Sequence, residues 1–216
     1  MKKTILSIFT VLFIFSTMFT ANAADLTGKL GVSANAGLIM PMNGAIDSHD
    51  DTKDIFNAGP GFGLALTYGI TPDFVIEGNF SYNWMKQDDK AANGDEPSLV
   101  IPAFEINGLY HFGNLINPAG KFSPFAKAGI GIYPWKVTED GISGDALSIG
   151  SDDFSKTSFG MNFGAGCEYF IADQYSIKPS VSYLFLFSED EDTFGKDFEN
   201  QGFLKFNLGI NYYFSL

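Results

Sequence analysis

The segment FLKFNLGINYYF, Phe203 to Phe214, decides the fold. From Leu204 onward, Leu204, Phe206, Leu208, Ile210, Tyr212 and Phe214 fall on one face, and Lys205, Asn207, Gly209 and Asn211 on the other. Tyr213 is the one bulky residue on that second face. A period of two marks a β-strand with one apolar side. A strand of a soluble sheet usually turns charge to water, whereas this one turns small polar residues and glycine. The pattern suits a strand whose apolar side meets lipid and whose polar side lines a narrow, crowded interior.

Seven further segments repeat it. They run over about 29–40, 59–70, 74–85, 99–112, 124–137, 158–171 and 175–187. In the second, Phe62, Leu64, Leu66, Tyr68 and Ile70 oppose Gly61, Gly63, Ala65, Thr67 and Gly69. In the sixth, Phe159, Met161, Phe163, Ala165, Cys167, Tyr169 and Ile171 form the apolar row. Pro134 and Trp135 interrupt the pattern of the fifth near its end. Cys167, the single cysteine, reads as a small packed hydrophobe.

The connections alternate in length. Residues 71–73 and 172–174 are tight turns and 113–123 is a somewhat longer one, while 41–58, 86–98, 138–157 and 188–202 are long. Short turns at one end and long loops at the other are the habit of an outer-membrane barrel, with the turns periplasmic and the loops outside. Eight strands then leave both termini in the periplasm. The four long loops hold 19 of the 25 acidic residues and five lysines. No stretch after residue 23 holds eighteen consecutive apolar residues, the length a spanning helix needs.

The N-terminus agrees with this route. Lys2 and Lys3 precede an apolar run from Ile5 to about Phe19, and Ala21, Asn22 and Ala23 supply a cleavage site. Residues 1–23 therefore read as a signal peptide and 24–216 as one barrel domain. Without the leader the chain has 11 Lys, no Arg and 25 acids, a net charge of −14. Such a chain is poorly suited to nucleic acid or anionic headgroups, which demand clustered cations.

The structural rival is a soluble eight-stranded lipocalin-like barrel with its apolar face inward. Two features speak against it. The polar rows are dominated by Gly, Ser, Asn and Ala, and large aromatics gather near the turns (Tyr68, Phe74, Tyr110, Phe112, Tyr169, Tyr175, Tyr212, Phe214). Clustering at one level is the pattern of an interfacial girdle.

The stretches GFGLALTYGITPDFVIEGNFSY (61–82), SPFAKAGIGIY (123–133) and SFGMNFGAGCEYFIADQYSIKPSVSYLF (158–185) carry a family resemblance. The chain resembles the small eight-stranded outer-membrane barrels of the OmpA, OmpX and OmpW type, in the broad class of outer-membrane β-barrel domains. Asn207, Gly209, Tyr212 and Phe214 match the C-terminal assembly signal of those barrels, with Ser215 and Leu216 extending past the usual terminal aromatic. The resemblance implies outer-membrane lipid and lipopolysaccharide as surroundings, handling by the barrel-assembly machinery, and a monomer. It implies an architecture much more than an activity.

Chemistry-bearing residues are few. His49 sits in Asp-Ser-His-Asp (47–50), but neighbours in sequence rarely form a triad, whose groups converge from separate elements. His111 falls on the inward parity near a turn. Asp190, Asp192 and Gly195 match three positions of a calcium loop, but Phe194 and Gln201 stand where further ligands belong. No catalytic, cofactor or metal set is assigned. A non-enzymatic barrel serving envelope integrity or loop presentation is the first expectation.

The alternative is a narrow conduit for small hydrophobic molecules with a lateral exit, as is thought of OmpW-like barrels. An eight-stranded interior is wide enough only for side chains, so an axial water channel is not expected. Leu184 and Leu186, and Trp135 and Val137, fall on the inward parity near the loops, as a conduit with an apolar upper lumen requires. A lipid-modifying enzyme, the third expectation, would need a Ser, His and acid converging at the outer rim.

The inward charges are the last candidates. Glu77, Lys127, Glu168 and Lys178 all lie three residues from a turn, and a mutually bridged layer is expected, because an unpaired buried charge costs several kcal/mol. Glu105 and Lys205 sit higher and read as a second tier.

Overall fold

The computed structural model describes residues 25–46, 49–88, 94–113, 121–149 and 152–215. The expected leader, residues 1–23, lies outside them, as do Asp47 and Ser48 of the histidine-bearing loop.

Eight long strands close into one antiparallel barrel. They are β1 (Lys29–Asn43), β2 (Gly59–Gly69), β3 (Phe74–Lys86), β4 (Ser98–His111), β5 (Phe122–Thr138), β8 (Ser155–Ala172), β9 (Tyr175–Phe187) and β10 (Gln201–Ser215). A two-residue hairpin, β6 (Ser148–Ile149) with β7 (Asp152–Asp153), and single helical turns at Thr52–Ile55 and Glu191–Phe194 belong to the loops. Each barrel strand pairs with its sequence neighbour, and β1 pairs with β10 from Lys29↔Ser215 to Asn43↔Gly202 to complete the ring. Closure removes both sheet edges, so neither edge is left to pair with another chain.

The expected boundaries lie within three residues of these strands. The turn-end connections at 70–73 and 173–174 are short; the loop-end ones are long. In the first turn the Thr71 hydroxyl accepts the amides of Asp73 (3.3 Å) and Phe74 (3.0 Å). It occupies those donors where the chain reverses.

The apolar rows face outward. Leu64, Ile106 and Ile210 are 64%, 66% and 62% exposed, and the outward row of every strand includes an exposed large hydrophobic side chain. A continuous apolar belt of this extent is incompatible with a soluble surface and excludes the lipocalin-like rival, whose apolar face would be inside. Aromatic rings gather at both rims of the belt. At the turn end, Tyr175, Tyr212 and Phe214 follow one another at 4.9 and 4.7 Å, and Tyr110 meets Phe112 at 5.1 Å. At the loop end Trp84 contacts Phe62 and Tyr82, and Phe159 stacks on Phe187. The sequence pattern marked the first girdle; the second became visible once register brought residues of neighbouring strands together.

Candidate functional site

The lumen is built from the alternate residues of the same eight strands, and it falls into two regions of opposite character. At the turn end an apolar floor of Leu26, Val75, Leu109, Phe125, Phe170 and Tyr213 closes the mouth. Leu26 lies just ahead of β1, held where the Gly28 amide bonds to the Gly69 carbonyl at 2.8 Å.

Above this floor Glu168 is almost wholly buried. Its Oε1 accepts from the Ser176 hydroxyl, from Asn211 Nδ2 at 2.7 Å and from the Tyr213 hydroxyl at 2.6 Å. Its Oε2 faces His111 Nε2 at 3.9 Å, and His111 Nδ1 lies 3.1 Å from the Ser123 hydroxyl. A serine, a histidine and a carboxylate thus converge, but at the turn end and not at the outer rim. Ser123 is buried, and the Nε2–Oε2 distance is that of an ion pair, not of a hydrogen bond.

Next comes a polar chamber lined by Glu77, Glu105, Lys127, Lys178 and Lys205 with Asn35, Asn79, Ser180, Asn207 and Gly209. Its free volume is about 30 Å³, room for one or two waters. Glu77 is bonded to Lys178 and accepts from Asn107 Nδ2 at 3.3 Å. Glu105 accepts from Asn79 (2.8 Å) and from the Tyr133 hydroxyl (3.1 Å), and Lys205 lies 4.0 Å away while donating to the Ser81 hydroxyl (3.1 Å).

The structure therefore brings Glu77 to Lys178 and Glu105 to Lys205. It does not join the four lower charges in one ring, because Glu168 is held by hydroxyl and amide donors, and Lys127 shares the chamber without an ion pair within 4 Å among the described residues. Neutral donors can satisfy a buried carboxylate as fully as a cation does, and β9 and β10 supply three of them here. Tyr133 crosses this level because Gly131 and Gly160 flank it. A Cβ on either would stand 2.8 Å from its ring or hydroxyl.

At the loop end the lining turns apolar. Ile39, Met85, Leu99, Ile101, Ala103, Trp135, Val137, Leu184, Leu186 and Phe203 point inward from the strands. Phe56, Phe154 and Phe198 fold down from three loops to cover them. Trp135 stacks on Phe198 at 5.9 Å and meets Phe154 edge-on at 5.6 Å, while its Nε1 donates to the Ser158 hydroxyl at 3.0 Å. The remaining cavity, about 20 Å³, is hardly larger than one water. Gln201 ties this cap together, donating to the carbonyls of Ala45 (3.0 Å) and Glu199 (2.9 Å) and accepting from Thr52. Asp190, the first residue of the calcium-like stretch, caps the turn at Thr193 (3.2 Å) and pairs with Lys156 (2.9 Å).

The inward parity of Leu184, Leu186, Trp135 and Val137 is as read from sequence. The loop phenylalanines follow no strand parity, and the signal that marks them in the sequence is an apolar residue amid acidic loops. The assembly-signal residues divide by face: Asn207 and Gly209 line the polar chamber, and Tyr212 and Phe214 stand in the turn-end girdle.

A closed eight-stranded barrel with an apolar exterior, aromatic rims and a filled lumen with a charged layer defines an integral outer-membrane protein. The family model of the outer membrane protein β-barrel domain matches residues 7–214, and the chain belongs to that family. It is 23% identical over 193 residues to the outer membrane protein PagN of Salmonella typhimurium, with 76% of each chain covered. Among solved structures it is similar in fold to Neisserial surface protein A (TM-score 0.60, 16% identity, 87% of this chain and 99% of that one). It is also similar to OprG from Pseudomonas aeruginosa (TM-score 0.61, 12% identity, 90% and 100%).

Proposed function

We propose that this protein is a non-enzymatic outer-membrane barrel that presents four acidic loops to the cell exterior and contributes to envelope integrity, with both termini in the periplasm. The observation that carries this reading is the filled lumen. A charged layer and an apolar cap occupy the two ends, so the barrel serves as a rigid support for its loops. The surrounding partners in this reading are outer-membrane lipid, lipopolysaccharide and, during biogenesis, the barrel-assembly machinery engaging Asn207, Gly209, Tyr212 and Phe214 of a monomer. The test is labelling of intact cells with a membrane-impermeant maleimide in a Cys167→Ser background. Asp197→Cys in the last loop is expected to label, and Asp173→Cys in the opposite turn only after the envelope is permeabilised. The reverse pattern would overturn the orientation.

A second reading is favoured by the apolar lining of the loop-end lumen, which no loop-presenting support requires. In that reading the protein is a narrow conduit for small hydrophobic molecules that leave sideways, because the charged layer blocks the axis. A saturable uptake of a small alkane into cells, dependent on the protein, would support it.

A further inference from the structure

Among the described residues, Lys127 is the lumenal charge that pairing leaves over. It points inward from β5, where its register partners are Leu109 on β4 and Gly164 on β8, so neither neighbouring strand sets a carboxylate beside it. The two carboxylates of its chamber are engaged elsewhere. Glu77 accepts from Lys178 and Asn107, and Glu105 accepts from Asn79 and Tyr133, so each of the four oxygens already has a donor. Among the described residues, the lysines within 4 Å of them are Lys178 and Lys205.

The chamber therefore sets three ammonium groups against two carboxylates. Glu168 makes the count of the whole lumen even, but it does not line this space. One of its oxygens takes donors from Ser176, Asn211 and Tyr213, and the other faces His111. Because Glu77 and Glu105 each stand with a lysine of their own, Lys127 sets the sign of the free space. Asn207 and Ser180 line it too, and their side chains make no hydrogen bond among the described residues. An amide and a hydroxyl thus offer donors beside an unpaired ammonium. Taking such a cation out of water without a counter-charge costs several kcal/mol. The free volume of about 30 Å³ is where the compensation can sit. Water fits there but brings no charge, and a metal cation would meet three ammonium groups. Phosphate, sulfate and organic carboxylates exceed the space, whereas a halide ion is little larger than a water molecule.

We propose that this chamber is a binding site for one small monovalent inorganic anion, chloride in kind, seated against the Lys127 ammonium with Asn207 and Ser180 as further donors. The apolar floor beneath and the apolar cap above are closed, so the ion is taken in as the barrel folds and is held as part of the charged layer. The site stands apart from both readings of function, neither of which needs an ion.

The full barrel is unfolded and refolded with urea in detergent micelles while chloride is raised from about 20 to about 200 mM. Gluconate, too large for the chamber, keeps the ionic strength constant, so that screening does not change. An ion bound by the folded barrel alone raises the folding constant in proportion to its concentration, close to tenfold over that range. Lys127→Met keeps the length of the side chain and removes its charge, and is expected to reduce the dependence to less than twofold. Lys196→Met, in the exposed last loop, is expected to leave it unchanged. A parent protein indifferent to chloride would overturn the proposal and leave water in the chamber. So would a dependence that Lys127→Met preserves, because chloride would then act elsewhere. Heat-modifiable gel migration verifies that each variant is folded. A second measurement needs no variant: crystals of the parent protein grown in bromide are expected to show an anomalous peak beside Lys127 Nζ, and its absence would overturn the site.

Discussion

The turn-end and loop-end halves of the lumen are lined by the same strands with the same parity, yet one is charged and the other apolar. At the turn end Glu77, Glu105, Lys178 and Lys205 are buried with partners, and Glu168 is satisfied by hydroxyl and amide donors. At the loop end the corresponding positions carry Leu184, Leu186, Ile101 and Trp135 beneath loop phenylalanines. The difference teaches that alternation fixes which way a side chain points but not what the interior is for. Charge pairing closes the lower half with directional bonds, whereas the upper half is closed by packing alone, which a ligand can replace.

The largest effect is expected where a buried pair is broken. Glu77→Leu leaves Lys178 without its carboxylate and is expected to cost about 3–5 kcal/mol, most of which Glu77→Leu with Lys178→Met recovers. Urea unfolding in detergent micelles measures both, and equal losses would show that the pair does not act as a unit. In the apolar half no such recovery exists. Leu184→Ala is expected to cost about 2–4 kcal/mol through its cavity alone, and a loss below about 1 kcal/mol would mean that the cap collapses to fill it.

The parity common to both halves is tested by lysines on one strand. Leu66→Lys faces lipid at a cost of about 2–4 kcal/mol, whereas Thr67→Lys faces the lumen opposite Glu77. The first is expected to lower membrane yield sharply and the second little; equal yields would remove the assignment of faces. The smallest effect belongs to the cap's ion pair. The hydrogen bond from Lys156, with a lesser one from the Thr193 amide, holds the Asp190 carboxyl below the usual carboxylate range. Its contribution is therefore present above the ordinary Asp value, about 3.9, and is lost as pH falls through the depressed one. A protection factor at the Thr193 amide, its exchange rate relative to the intrinsic rate at the same pH, that falls on acidification checks this; a protection factor that falls on raising the pH from 5 to 7 has the wrong sign.

Strand number, closure, face assignment and the apolar patches at Leu184 and Trp135 were legible because each follows from a period of two. The partners of Glu168 were not. Ser176, Asn211 and Tyr213 reach it only through the register of β8, β9 and β10, which one strand's sequence does not carry. Tyr213 had nonetheless announced itself as the one bulky residue on a polar face. The loop phenylalanines are not legible in the same way, because acidic surroundings suggest solvated loops, whereas burial of an aromatic ring outweighs its neighbours' charges.

The central claim is that the filled lumen closes the axis of the barrel. Single-channel recording of the purified wild-type protein in planar bilayers tests it directly. The account predicts no sustained conductance from the wild-type barrel at neutral pH; steady, long-lived single-channel openings would contradict it.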